Sequence, residues 1–199
     1  FSAYETTIHC IATFAFGCTA ILIAPFVSVY TKEINDANYN APLFGYLLSF
    51  AYMTYCYRLP YNTMVLAAGH YKQTQSSAWI EMIINIIISV LTVIKFGLIG
   101  VAVGTLVAML YRSIYLAWYL SKNILNRPLK YFIKHMLVNC ITLTIMIYVS
   151  HWFTITEYTY VSWVLLALKV ASVSLLICII IDFIFYKDEF KQIKAMIIK

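Results

Sequence analysis

The chain has 199 residues, of which 63% are hydrophobic and 11% charged, against roughly 25% charged in an average soluble domain. That balance excludes an ordinary water-soluble globule and points to an integral membrane protein. The net charge of +6 is not read as a nucleic-acid footprint, because the basic residues sort by position along the apolar segments rather than forming one patch.

A membrane-crossing helix needs about 20 largely apolar residues. Six candidates appear, near residues 8–30, 43–68, 76–95, 97–120, 131–151 and 160–186. The fold class expected is therefore all-α: a polytopic transmembrane helix bundle of about six spans over 1–186. A basic tail, 187–199, alternates Lys with Phe, Ile and Met and is expected to form an amphipathic helix on the membrane surface. The chain starts at Phe1 without a signal-peptide pattern, so it is expected to be a fragment of something longer.

Between the first two spans lies a polar connection, residues 31–40, and Pro42 suits the first turn of the second. The break at 69–75 begins with Gly69, placed as a helix C-cap. The third and fourth spans form a hairpin with almost no loop around Gly97. Glu81, Asn85, Ser89 and Thr92 recur at helical spacing along the first arm, giving it one polar face. In the second arm Gly100, Gly104 and Ala108 form a small-residue strip that admits another helix backbone closely.

Lys72, Lys122, Arg127, Lys130, Lys134 and Lys187 fall on one side of this topology, and only Lys32 and Lys95 on the other. The positive-inside rule then puts both ends of the segment in the cytoplasm. Trp152, Tyr158, Tyr160 and Trp163 flank the last outer connection, where an aromatic belt belongs.

Intramembrane charges are costly and are functional candidates by default. Arg58 stands mid-way along the second span with Tyr55 and Asn62 on the same face and Pro60 beside it. It is read either as a cationic site for an anionic substrate group or as one half of a structural pair with a carboxylate such as Glu81. Arg112 is accounted for more simply by snorkelling, with substrate binding as the alternative. Lys169 lies deep in the last span and is a further candidate. Glu81 is a coupling candidate or a headgroup-boundary residue, and the Asn85 stripe either lines a path or bonds between helices.

Other chemistry is not signalled. His9, His70, His135 and His151 lie in different segments without ligand spacing, and the five cysteines form no C-x-x-C pair. No metal, no cofactor and no catalytic residue is expected, and the chain is not expected to be an enzyme. An acyl- or glycosyltransferase would need His or carboxylates clustered at one membrane face, which the linear sequence does not display.

An ordered set of short motifs then carries a family resemblance. Pro25-Phe-Val-Ser-Val-Tyr30-Thr with Asp36-Ala-Asn-Tyr39 is followed by Arg58-Leu-Pro60, Ala67-Ala-Gly69-His-Tyr-Lys72-Gln-Thr-Gln, Asn85-Ile-Ile-Ile-Ser89 and Phe96-Gly97-Leu-Ile-Gly100-Val-Ala-Val-Gly104-Thr105. Together, over roughly residues 1–130, they resemble the lipid-linked oligosaccharide flippases of the multidrug, oligosaccharidyl-lipid and polysaccharide exporter superfamily. The resemblance implies a two-bundle exporter fold of which this chain is the C-terminal portion, with a missing N-terminal bundle as its partner. It implies alternating access and an undecaprenyl-diphosphate-linked oligosaccharide as substrate, moved across the bacterial cytoplasmic membrane for envelope or capsular polysaccharide. It also implies a cationic cavity, to which Arg58 is matched; Tyr55, Asn62, Asn85, Lys169 and Arg112 are further substrate-binding candidates from the residues themselves, and no motif of the resemblance covers Lys169. The alternative within the superfamily is a drug/cation antiporter, which calls for an acidic cavity.

Overall fold

In the computed structural model the described residues are 1–34, 39, 41–155, 157–187 and 189. They form seven helices: α1 (Ser2–Tyr30), α2 (Pro42–Tyr57), α3 (Leu59–Ala67), α4 (Tyr71–Phe96), α5 (Leu98–Asn123), α6 (Lys130–Ser150) and α7 (Tyr160–Phe185). Five of them, α1, α4, α5, α6 and α7, are each long and apolar enough to cross a membrane. The sixth expected span is α2 and α3 in series, interrupted at Arg58. The all-α bundle of about six spans is as expected, while most of the expected tail helix at 187–199 and most of the Asp36–Tyr39 motif lie outside the described residues.

The break at Arg58 has a local cause. Pro60 has no N–H and cannot bond the carbonyl four residues back, so the ladder loses one rung there. The flanking rungs persist, with Arg58 N–H donating to the Thr54 carbonyl at 3.3 Å and Asn62 N–H to the Arg58 carbonyl at 2.9 Å. Arg58 thus sits at a shallow joint with φ −81° and ψ −13°. At the far end of α3, Gly69 takes φ +75°. Its N–H donates to Leu66 and that of His70 to Val65, at 2.9 and 3.1 Å, the paired bonds of a Schellman ending.

Two helices begin earlier than hydropathy suggests. α1 starts at Ser2 rather than near 8, and α4 starts at Tyr71 rather than near 76, leaving Ala68–His70 as the whole connection. Each added turn carries a buried polar residue, Glu5 and Thr6 in α1 and Thr74 in α4, while most of the α4 turn is exposed. The Thr74 hydroxyl donates to the His70 carbonyl at 3.1 Å, and Glu5 accepts from Tyr61 and Arg127. A hydropathy window cannot see that compensation.

α1 is the hub of one side, packing on α2, α3, α6 and α7, while α5 packs on α2, α3 and α4. α4 is held chiefly by α5 and leaves Ile83, Ile86, Ile87, Val90, Leu91 and Ile94 exposed along its outer face. The α4–α5 hairpin turns on Gly97 alone, at φ +56°. Its arms then run in backbone contact, and the polar stripe of α4 supplies the seam. Thr92 Oγ1 lies 2.9 Å from the Gly100 carbonyl, and Ser89 donates to Asn85 Oδ1 at 3.1 Å. A Cβ on Gly100 would meet the Thr92 carbonyl oxygen at 2.6 Å and Val93 N at 2.7 Å, and one on Gly104 would meet Ser89 N at 2.8 Å. These are backbone atoms that cannot step aside. Gly100→Ala is therefore expected to destabilise the hairpin by about 1–3 kcal/mol, read as a lower thermal midpoint of the purified protein in detergent, whereas Ala108→Gly should have a smaller effect.

Candidate functional site

Arg58, Glu81 and Arg112 arrive from three helices at one point. The joint after α2 supplies Arg58, the middle of α4 supplies Glu81, and the middle of α5 supplies Arg112. Arg58 Nη1 donates to Glu81 Oε1 at 2.5 Å, and Arg112 Nη1 to Glu81 Oε2 at 2.8 Å. One carboxylate thus bridges two guanidiniums, leaving the cluster with one net positive charge. The side chains retain 10%, 16% and 23% exposure for Arg58, Glu81 and Arg112, so the site is shielded but not sealed. Tyr55 is 40% exposed and stacks under Arg58, its ring centroid 4.6 Å from the guanidinium carbon.

Glu81 lies about 15 Å along α4 from its start at Tyr71. Arg112 lies about 16 Å from the end of α5 at Asn123, and its guanidinium turns to Glu81. The structural pairing considered for Arg58 is present, and it extends to a second arginine that sequence spacing did not connect. Spare hydrogen-bonding capacity remains, since each guanidinium has five N–H donors and Arg112 Nε is buried without a partner.

The other candidates are placed elsewhere. Asn85 belongs to the α4–α5 seam through Ser89. Asn62 is half-buried one turn beyond Arg58 in α3. Lys169 lines a separate cavity of about 260 Å³ with Trp152, Thr154 and Ser162, where α7 meets the α6–α7 connection. No residue of α2, α4 or α5 lines that cavity, so Lys169 does not join Arg58. The apolar groove of about 290 Å³ between α1 and α2 also lies apart from the arginines, lined by residues such as Ile23, Phe44 and Leu48.

A second polar cluster, which sequence spacing missed, lies at the end of the bundle that carries Phe1. Glu5 is fully buried and accepts hydrogen bonds from Tyr61 Oη on Oε1 and from Arg127 Nη1, at 2.7 Å, on Oε2. His135 Nε2 is 3.6 Å from the same Oε2. His9 stacks flat on Tyr57 at 4.6 Å, lies 4.9 Å from His135, and meets Asn139 at 2.8 Å through Nδ1. Histidines and a carboxylate that show no clustering in the linear sequence thus gather in the fold. They come together only because α1, α3 and α6 converge, across 130 residues of chain. The one sequence signal was Glu5 and His9 sharing a helical face. Among the described residues no group of His, Cys, Asp and Glu could hold a metal ion.

No family model, curated protein or solved structure matches this chain. The function must be argued from the two clusters and the membrane-crossing bundle.

The bridging geometry makes a stability prediction. Glu81→Gln leaves two guanidiniums facing each other with no counter-charge, which is expected to cost about 3 kcal/mol or more. The double variant Glu81→Gln/Arg112→Gln removes the repulsion but leaves Arg58 without its carboxylate, so it should recover only part of that loss, measured as thermal midpoints of the detergent-purified protein.

Proposed function

We propose that the chain is the C-terminal portion of a membrane transporter that flips a diphosphate-linked oligosaccharide lipid across the bacterial cytoplasmic membrane. The observation that carries the reading is the pair of arginines at mid-helix depth sharing a single carboxylate. Intramembrane cations are expensive and persist where a pathway uses them, and a site with a net charge of +1 and free guanidinium donors suits a phosphate-type anion in bidentate contact. The ordered resemblance of residues 1–130 to lipid-linked oligosaccharide flippases agrees with it.

In this mechanism the headgroup diphosphate competes with Glu81 for Arg58 and Arg112, and Glu81 takes the arginines back when the headgroup leaves. The carboxylate keeps the empty site close to neutral and so stabilises the state between turnovers. Tyr55, exposed beside Arg58, offers a stacking surface for sugar. The exposed apolar face of α4 would meet membrane lipid or the N-terminal bundle against which this half rocks. The basic end of the bundle, with both ends of the segment, would face the cytoplasm. A drug/cation antiporter is less well supported, because Glu81 is already neutralised twice and has no free charge to offer a cation. The function requires no catalytic residue, metal or cofactor.

Arg58→Ala is the decisive variant, because Glu81 would keep Arg112 and no buried charge would be orphaned. Surface polysaccharide in cells that depend on this protein should fall to background while protein level and membrane insertion stay normal. Arg58→Lys, which keeps the charge but loses the planar fork, should restore only part of it. Wild-type polysaccharide from Arg58→Ala would remove the site from the mechanism.

A further inference from the structure

Lys169 is an intramembrane charge that the fold leaves unbalanced. It lies about 13 Å along α7 from Tyr160, in the candidate span of highest mean hydropathy. Arg58 and Arg112 are both paired with Glu81, whereas Lys169 makes no hydrogen bond, ion pair or ring contact among the described residues. Glu157, the carboxylate of the α6–α7 connection, is exposed and does not line the cavity that Lys169 lines. An ionisable side chain within a membrane-crossing segment is costly without a partner, so a counter-charge from outside the chain is called for.

The surroundings of Lys169 are made for an anion. Trp152 and Thr154 of the connection meet Ser162, Leu165 and Lys169 of α7 around about 260 Å³ of open space. One water needs only about 10–15 Å³, so a larger polar group fits. Ser162 Oγ accepts from Thr159 Oγ1 at 2.8 Å, while the Ser162 N–H donates to that Thr159 oxygen at 3.2 Å. The Ser162 hydroxyl hydrogen is therefore left to donate. The Thr154 hydroxyl makes no hydrogen bond among the described residues, and the Trp152 indole, which can only donate, is exposed beside Tyr148 at 6.4 Å. An ammonium, two hydroxyls and an indole N–H thus border the cavity, and no carboxylate does.

The flank of the cavity decides which anion. Val161, Val164, Leu165 and Leu168 are exposed on α7 at the spacing of one helical face, and Leu165 also lines the cavity. A free, hydrated anion gains nothing from that strip. A lipid can place its phosphate among the donors and its chains along the apolar residues.

We infer that Lys169, Ser162, Thr154 and Trp152 form a binding site for the headgroup phosphate of an anionic membrane phospholipid, with its acyl chains along Val164, Leu165 and Leu168. The ammonium supplies the charge, and the hydroxyls and indole fix the headgroup at the level of an aromatic belt. Bound there, the lipid bridges α7 and the connection that precedes it. No residue of α2, α4 or α5 lines the cavity, so the site is separate from the arginine pair and its test needs no transport assay.

The test titrates the full-length protein in detergent with phosphatidylglycerol and counts retained lipids by native mass spectrometry. Wild type is expected to hold one more phosphatidylglycerol than Lys169→Gln, and to prefer it to phosphatidylcholine, whose choline cancels the headgroup charge. Lys169→Arg should keep that lipid; Ser162→Ala should weaken it about threefold, and Lys169→Gln about tenfold or more. Removing an unpaired charge orphans no partner, so Lys169→Gln should fold, as checked by its thermal midpoint without added lipid; if it does not, Lys169→Met carries the comparison. Equal retention by wild type and the Lys169 variant, or equal retention of the two lipids, overturns the proposal. So does inorganic phosphate that binds through Lys169 as tightly as the lipid, since the ligand is then a free anion.

Discussion

The two carboxylates Glu81 and Glu5 are each shared among several partners, because a low-dielectric interior makes an uncompensated charge costly. Glu81 lies between Arg58 and Arg112, and Glu5 lies between Arg127 and Tyr61 with His135 nearby. Each carboxylate draws partners from more than one other segment of the chain. The two carboxylates therefore act as tie points: Glu81 joins α2, α4 and α5, and Glu5 joins α1, α3, the α5–α6 connection and α6. The helices could be rearranged at modest apolar cost, since lipid is as apolar as Leu, but not without orphaning one of these charges.

Around the tie points, packing is decided by small residues and backbone approach. The α4–α5 hairpin closes on Gly97 and is held along Gly100 and Gly104. Elsewhere the contacts are aromatic: Tyr61 meets Phe132 edge-on at 5.5 Å, and Phe26 meets Trp163 at 5.0 Å. Trp163 Nε1 also donates to the Leu22 carbonyl at 3.3 Å, fixing α7 against α1 at the end away from Glu5. Aromatic contacts thus occur at both ends of the bundle, joined at the Glu5 end by the ion pair and hydrogen bonds of Glu5.

The joint at Arg58 shows how a local sequence feature acquires meaning from its neighbours. Pro60 removes one rung of the helix, which any reading of the chain would notice. The consequence is that the Arg58 guanidinium turns toward α4 and α5 and finds Glu81 rather than lipid. The same local break without Glu81 opposite would leave a buried, unpaired cation. Two guanidiniums share one carboxylate there, with the exposed Tyr55 ring beside Arg58.

Helical content, the number of membrane passes, the Gly97 hairpin and the Pro60 break were all legible in the order of residues, because hydropathy, glycine and proline act over one or two turns of chain. The candidate Arg58 and its partner Glu81 were legible too, as charges out of place in apolar segments. The early starts of α1 and α4 were not, since hydropathy marks where apolar residues begin and these helices extend through polar turns before that point. Nor was the Arg112 contact, nor the meeting of Glu5, His9 and His135, which lie up to 130 residues apart in sequence. Residue order determined which charges had to find partners; only the tertiary structure decided which ones, because compensation in a membrane interior depends on distances of about 3 Å between side chains that sequence separation does not constrain.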